Sequence, residues 1–248
     1  MTLANSTAHT TAKSISLLAM DTSTEGCSVA LLQQQAPAST VTADFILSPR
    51  EHTQRILPMV DTILAQGKAS LGEMNALVYG RGPGSFTGVR IGIGIAQGLA
   101  FGADIPMIGI STLQAMAQQA HAQSGATRVL AAIDARMGEV YWGEYQCGEN
   151  GIMMLAGEEQ VASPSAVIEQ YRGQTFDFAA VGTGWQAYPE LATAFAVTDE
   201  VTVRFPSAEF MLPAALEHFL NGETVAAEQA TPVYLRDKVT WKKLPGRE

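Results

Sequence analysis

Two stretches of this chain share one pattern, in which an apolar run ends in an aspartate and a turn containing glycine leads into a second strand-like segment. Leu17–Asp21 is followed by a turn that ends at Gly26, and Leu130–Asp134 by one that ends at Gly138. A short apolar run of this kind predicts a buried strand, and the turn predicts a hairpin. The aspartates lie 113 residues apart in a chain of 248, which indicates two related halves.

Strand-like and helix-like segments alternate along the rest of the chain, which predicts an α/β fold with a mixed sheet flanked by helices in each half. We expect helices over 51–66, 89–101, 111–123, 164–171 and 207–221, and one strand over 152–161. The predicted organisation is a flexible tail (1–14), a first half that carries partner-binding helices (15–106), a second half (107–206), and a C-terminal helix and tail that pack back on the first half (207–248).

Composition excludes several classes of protein. With 47% hydrophobic and 16% charged residues, the chain is not intrinsically disordered. The formal net charge of −9 is opposite to that of a typical free-standing nucleic-acid binder, so we expect another protein to supply any RNA phosphate contacts. The two cysteines lack a Cys-x-x-Cys spacing and are predicted to be buried, reduced thiols. The stretch 89–110 contains an arginine and an aspartate, so we expect no membrane span and a cytoplasmic protein.

The hairpin after the first apolar run is the first candidate site. Asp21 is followed by Thr22, Ser23 and Thr24. Hydroxyl and backbone N–H groups can bind a phosphate while the carboxylate holds Mg²⁺ through water. The alternative is a turn stabilised by its own Asp, Ser and Thr side chains.

The glycine-rich loop Gly80–Gly88 is the second candidate. It matches neither a P-loop, which needs a lysine before the helix, nor the Gly-x-Gly-x-x-Gly and Gly-x-Ser-x-Gly signatures. The four histidines include no pair four residues apart, so a zinc site is not expected.

The helix after this loop carries small residues at four-residue spacing, Gly88, Gly92, Ala96 and Ala100, with Gly94 and Gly98 as a second pair. Each interior glycine costs about 1 kcal/mol of helix stability relative to alanine. Close approach of another backbone would compensate, and that backbone belongs either to this chain or to a partner.

The preceding helix has a broad apolar arc, which suits a core, an interface, or both. Pro58 within it predicts a kink or a late start.

Several of these segments together resemble the TsaB family of bacterial tRNA threonylcarbamoyladenosine biosynthesis proteins, formerly grouped with the glycoproteases. The similarity extends from residue 15 to residue 236, and Gly80–Gly88 is its most specific part. The segments that carry it are Leu18–Thr24, Glu51–His52 with Leu57–Pro58, Gly80–Gly92, Ile133–Arg136 with Glu139–Tyr141, and Pro232–Arg236.

The resemblance implies the actin-like ATPase (ASKHA) fold, which agrees with the internal repeat. It implies a role in placing a threonylcarbamoyl group on N6 of the adenosine 3′ to the anticodon, in tRNAs that read codons beginning with A. The catalytic relative is TsaD, which works with the ATPase TsaE. A vestigial phosphate site would comprise Asp21, Thr22, Ser23, Thr24, Gly182, Thr183 and Gly184.

Departures from TsaD imply a non-catalytic role. Thr112 and Met116 occupy the positions of two metal-binding histidines in TsaD, and neither side chain replaces imidazole on such a metal. We therefore expect no catalytic residue, no metal and no cofactor, ATP included. The expected partners are TsaD as a heterodimer and TsaE, with a homodimer of the chain alone and tRNA contacted only indirectly. The partner surface implied by the family comprises Ile56, Met59, Val60, Ile63, Leu64, Arg90, Gly92, Ile93, Ala96 and Gln97.

Two other functions remain open at this point. A small-molecule kinase or ATPase of the same fold would use Asp21 and Thr24 on a nucleotide. A peptidase is suggested only by the older family name, and the sequence shows neither a metal pair nor a nucleophile motif.

Overall fold

The computed structural model of the chain describes residues 14–35, 37–175 and 177–236. The predicted flexible tail, except for Ser14, and the last twelve residues of the chain lie outside these ranges. The described part contains two five-stranded sheets, each flanked by helices, as the repeated apolar pattern predicts.

The first sheet contains the strands Ile15–Asp21 (β1), Gly26–Gln35 (β2), Ala38–Leu47 (β3), Ala76–Gly80 (β4) and Met107–Ile110 (β5). Their order in the sheet is β3-β2-β1-β4-β5. Strands β1, β2 and β3 are antiparallel neighbours, and β4 and β5 continue the sheet in parallel with β1. Every residue of β4 is buried, as expected for a strand covered on both faces.

Helices cover both faces of this sheet. The helices His52–Gln66 (α1) and Phe86–Ala103 (α2) share one hydrophobic core with β1, β2 and β4. On the other face the helix Leu212–Leu220 (α7) packs on β1, β4 and β5, and a buried 3₁₀ turn, Ala208–Met211, precedes it. Two further 3₁₀ turns are Leu71–Glu73 and Ala227–Gln229.

The second sheet contains the strands Arg128–Asp134 (β6), Val140–Cys147 (β7), Met153–Leu155 (β8), Gln160–Ala162 (β9) and Ala179–Val181 (β10). Their order is β10-β6-β7-β8, with β9 also paired to β7. Its hairpin, β6 and β7, is antiparallel, and β10 lies parallel to β6. The helices are Thr112–Ser124 (α3), Pro164–Gln170 (α4), Gly184–Ala187 (α5) and Pro189–Ala194 (α6).

The two sheets repeat one arrangement. In each, a buried strand that ends in aspartate pairs antiparallel with the strand that follows it and parallel with a later one. The prediction of two related α/β halves is therefore confirmed.

Several predicted boundaries differ from the structure. Strand β5 pairs with β4 in the first sheet, so residue 107 lies inside the first half rather than at the start of the second. The strand expected over 152–161 is two short strands, β8 and β9, which pair with different parts of β7. The helix expected over 207–221 starts as a 3₁₀ turn.

Helix α1 begins at His52 and continues through Pro58. Pro58 lies on the exposed side of the helix. Proline has no N–H, so one carbonyl group of the preceding turn lacks its helical hydrogen bond, and on this side water can bond to it. Both cysteines are free, as predicted, although Cys147 is only partly buried because it stands at the end of β7.

Candidate functional site

The side chains of the candidate phosphate hairpin, residues 21–24, form hydrogen bonds within the chain. Asp21 Oδ1 accepts the Ser23 backbone N–H at 3.0 Å and the Ser23 hydroxyl at 2.9 Å. Thr22 Oγ1 donates to Gly88 O at 2.7 Å, and Thr24 Oγ1 accepts the Gly26 N–H at 3.2 Å. None of residues 21–24 is more than 6% exposed. The turn-stabilising role that the sequence left open is therefore what these side chains perform in the structure.

The glycine-rich loop and the first turns of α2 press directly on this hairpin. A Cβ atom built on Gly84 would lie 2.2 Å from Ser23 O, and one on Gly88 2.2 Å from Thr22 O. A Cβ on Gly92 would lie 2.6 Å from Thr22 Oγ1. Only glycine permits this approach, so the segment that compensates for Gly88 and Gly92 belongs to this chain: the Thr22 backbone at Gly88 and the Thr22 side chain at Gly92.

Asp21 carries an unusual carboxyl group. Its Oδ2 atom is buried and has no hydrogen-bond partner among the described residues. Burial raises the pKa of Asp21 from 3.8 to about 6, against the opposing effect of its hydrogen bonds from Ser23. The part of the chain that the structure describes contains no group of three His, Cys, Asp or Glu residues placed to hold a metal.

The corresponding hairpin of the second half is more open. Asp134 Oδ1 accepts the Arg136 N–H at 2.9 Å and the Tyr188 hydroxyl at 3.0 Å. Gly182 has φ of +100°, and a Cβ there would lie 2.0 Å from Ala132 O. Gly184 also packs against Ala132, and Thr183 Oγ1 accepts the Asp134 N–H at 3.1 Å. The predicted turn at 182–184 therefore supports the end of β6.

A cleft of about 840 Å³ separates the halves and brings Ser23, Thr24 and Thr183 to a common wall. Four arginines line it, and we call it the arginine cleft: Arg50, Arg136, Arg204 and Arg236. Arg136 and Arg236 lie in segments that carry the family resemblance, but the four arginines are distant in sequence and no local motif marks them as one site. Sequence reasoning missed them for that reason.

The predicted partner surface is largely internal. Eight of its ten residues are buried in the core that α1 and α2 form with the first sheet, because the apolar stripe of each helix faces the strands. These are Ile56, Met59, Val60, Ile63, Leu64, Gly92, Ile93 and Ala96. The prediction that these eight residues form a partner surface is at odds with their burial inside this chain.

The other two predicted surface residues have local partners. Gln97 is partly buried and donates its side-chain N–H groups to Ala227 O at 2.9 Å and to Ala230 O at 3.0 Å. Arg90 is exposed, with its guanidinium carbon 3.3 Å from the centre of the Phe86 ring.

Three glycines lie on the exposed side of α2, and we call them the glycine face: Gly94, Gly98 and Gly102. A Cβ built on any of them would meet no atom of the described residues within 4 Å. Phe101 beside them is 78% exposed, and Leu57 on α1 is 44% exposed. The four-residue spacing of Gly94 and Gly98 was the available sequence signal, and Gly102 extends it.

Helix α2 is long and apolar enough to span a membrane by length and composition, with a mean hydropathy of 1.2 over 18 residues. It packs on β1 and β4, as a core helix does.

Thr112 and Met116 are buried at the start of α3, where Thr112 Oγ1 donates to Ser23 Oγ at 3.1 Å.

Comparisons with known proteins agree with this architecture. The family model of TsaD, tRNA N6-adenosine threonylcarbamoyltransferase, matches residues 42–244. The tRNA threonylcarbamoyladenosine biosynthesis protein TsaB of Escherichia coli K12 is 59% identical, over 94% of this chain and 99% of its own length. The protein of that name from Haemophilus influenzae is 47% identical, over 95% of this chain and 100% of its own length.

Two solved structures from Pseudomonas aeruginosa are also similar. One, described as an uncharacterized protein with similarity to peptidase YeaZ, is 44% identical with a TM-score of 0.79, over 90% of this chain and 100% of its own. The other, YeaZ, is 42% identical with a TM-score of 0.75, over 89% and 100%. Identity and coverage at this level establish the family: the chain belongs to the TsaB family of tRNA threonylcarbamoyladenosine biosynthesis proteins.

Proposed function

We propose that this chain is the non-catalytic subunit for threonylcarbamoyl transfer to N6 of the adenosine 3′ to the anticodon, in tRNAs that read codons beginning with A. It pairs with TsaD and activates it, together with the ATPase TsaE, and acts in the cytoplasm. The coarser role in threonylcarbamoyladenosine biosynthesis follows from the family.

The glycine face carries this proposal. Gly94 and Gly98 each cost α2 about 1 kcal/mol relative to alanine. Unlike Gly88 and Gly92, they have no neighbouring atom among residues 14–35, 37–175 and 177–236 that requires a missing side chain. A second helix packed on this face would approach α2 closely along its length, since there is no side chain to separate the two backbones. Exposed Phe101 and Leu57 supply apolar area of the kind enriched in interfaces.

Two observations support the absence of a catalytic centre. Thr112 and Met116, which the family resemblance places at the positions of the histidines in TsaD, are buried in the interior of the protein. The hydroxyls of the hairpin at residues 22–24 already have partners within the chain. The glycine face also suits self-association, so in the absence of TsaD we expect a homodimer that uses the same surface.

The test is reconstitution of tRNA modification from purified TsaD, TsaE and this chain, combined with co-purification of TsaD. We expect Gly98→Leu to abolish co-purification and modification, because its side chain would occupy the space of the partner's backbone. The folded state should survive, since the added side chain enters open space.

Ala166→Leu is the matched control, because it adds a leucine at an exposed position of α4 in the second half. It should leave pairing and modification at the wild-type level. Retained co-purification in both Gly94→Leu and Gly98→Leu would refute the proposed surface. Modification at full rate without this chain would refute the proposed role.

A further inference from the structure

The arginine cleft has an electrostatic character opposite to that of the chain as a whole. The chain has a formal net charge of −9. The charged residues that line the cleft are four arginines, Glu25 and Asp134. A concave site that collects charge of one sign attracts ligands of the opposite sign. The cleft is therefore suited to an anion.

Two of its guanidinium groups are available for a ligand. Arg136 is neutralised by Asp134 at 3.0 Å and Glu25 at 3.7 Å, and Arg236 pairs with Glu139. Within residues 14–35, 37–175 and 177–236, neither Arg50 nor Arg204 forms an ion pair, and Arg204 donates only to the Gln186 side-chain oxygen at 2.8 Å. Both side chains are exposed.

The backbone contributes to the same field. Residues 49, 50 and 52 at the start of α1 and residues 84–86 at the start of α2 line the cleft. Each helix presents the positive end of its dipole there, which favours bound anions. Arg50 has a left-handed backbone with φ of 69°, an uncommon conformation for a residue other than glycine.

Aromatic side chains accompany these cations at the rim. Phe86 lines the cleft and is 66% exposed, and the Arg90 guanidinium carbon lies 3.3 Å from its ring centre. Tyr234 lies beside the cleft lining, is 49% exposed, and has its ring centre 6.2 Å from that of Phe86. Exposed aromatic rings beside arginines form the combination on which unpaired bases stack while their phosphates are bound.

We propose that the arginine cleft binds a single-stranded segment of the tRNA substrate directly, through its phosphates and one unpaired base. This inference rests on the proposed function and replaces the expectation that tRNA is contacted only through the complex. N6 of adenosine lies on the base-pairing edge, so an adenosine modified there must be unpaired, and the RNA presented to the complex is a single strand.

A free nucleotide fits these observations less well. The hairpin that would hold its phosphates is buried and internally bonded. The available donors, Arg50 and Arg204, come from opposite halves of the chain and suit phosphates that are spread along a strand.

The experiment measures binding of a labelled RNA hairpin, with an adenosine in its loop, to the full-length chain as salt is varied. Arg50→Gln with Arg204→Gln should weaken binding about tenfold or more, because two charge-assisted contacts are lost. It should also reduce the slope of log affinity against log salt by about 1.4, since each single-strand phosphate contact contributes about 0.7. The matched control, Lys68→Gln with Arg172→Gln, removes the same net charge at exposed sites outside the cleft and should leave both quantities unchanged.

Three results would overturn the inference: equal losses in the cleft and control variants, equal affinity for a fully paired RNA duplex, or displacement of the RNA by stoichiometric ATP. Absence of wild-type binding at low salt would do the same. In the reconstituted reaction, the cleft variant should raise the KM for tRNA while TsaD still co-purifies. An unchanged KM, in a reaction that still requires this chain, would refute the RNA site and leave the proposed function intact.

Discussion

Gly92 and Gly94 lie two positions apart in α2 and should respond to alanine substitution in opposite directions. At Gly94 the added methyl group meets no atom within 4 Å in the part of the chain that the structure describes. Alanine is more favourable than glycine in a helix interior by about 1 kcal/mol. We therefore expect Gly94→Ala to raise the free energy of unfolding by about 1 kcal/mol.

At Gly92 the same methyl group would lie 2.6 Å from Thr22 Oγ1, which donates to Gly88 O at 2.7 Å. Displacing this hydroxyl costs about 1 kcal/mol for the hydrogen bond and about 1–3 kcal/mol for overpacking a filled site. These costs exceed the helical gain of about 1 kcal/mol, so Gly92→Ala should lower the free energy of unfolding by about 1–3 kcal/mol.

Thermal unfolding measures both effects. For a chain of this length, 1 kcal/mol corresponds to a change in Tm of about 2–4 °C. Self-association adds stability that depends on concentration, so the comparison requires a dilution series. Shifts of the same sign in the two variants, or a Gly92→Ala protein as stable as the wild type, would show that the close contact with Thr22 does not govern this helix.

Two further substitutions test the buried polar groups. The pKa of Asp21, about 6, lies above its ordinary value of 3.8, so the folded state binds this proton more tightly and stability falls as pH rises between these values. Between pH 3.8 and about 6, the wild type should lose up to about 3 kcal/mol of unfolding free energy that Asp21→Asn does not lose. Urea denaturation across this pH range measures the difference, and parallel pH profiles of the two proteins would contradict it. Ser28→Ala removes the acceptor of the buried Ala208 N–H, now 2.9 Å from Ser28 Oγ, and should cost about 1–3 kcal/mol in the same assay. Exposed Ser39→Ala is the control, and an equal loss there would contradict this.

The hairpins could be predicted because their signal is local. An apolar run, an aspartate and a glycine turn determine a strand and its return within about twelve residues, and the repetition at Asp21 and Asp134 indicated two related halves. Sheet membership is not local in this sense. Nothing within the sequence of β5 indicates that it pairs with β4. For that reason the predicted boundary between the halves fell before β5, although β5 belongs to the first sheet.

The sequence also could not show which side of each helix packs on the core and which side is exposed. Helix α2 has two interleaved stripes of small residues, one through Gly88 and Gly92 and one through Gly94 and Gly98. Small residues are compatible with both a tight core contact and an interface, so their spacing alone could not assign either stripe. The Gly92 stripe packs on the hairpin, and the Gly94 stripe is exposed. The arginine cleft could not be predicted either, because tertiary structure alone brings Arg50 and Arg204 together.

The contrast between the two stripes bears on how the chain acts. Gly88 and Gly92 lose helix stability but permit the contact that seals the hairpin, so their cost is offset inside the folded chain. Gly94 and Gly98 together cost about 2 kcal/mol with no offsetting contact from the described residues, and this is a sizeable share of the 5–15 kcal/mol by which proteins are stable. In the proposed assembly, the backbone that approaches this face closely belongs to a partner. In that assembly the cost is recovered on association, and a surface of this kind, rather than a reactive group in the buried hairpin, is the feature by which the chain is proposed to act on TsaD.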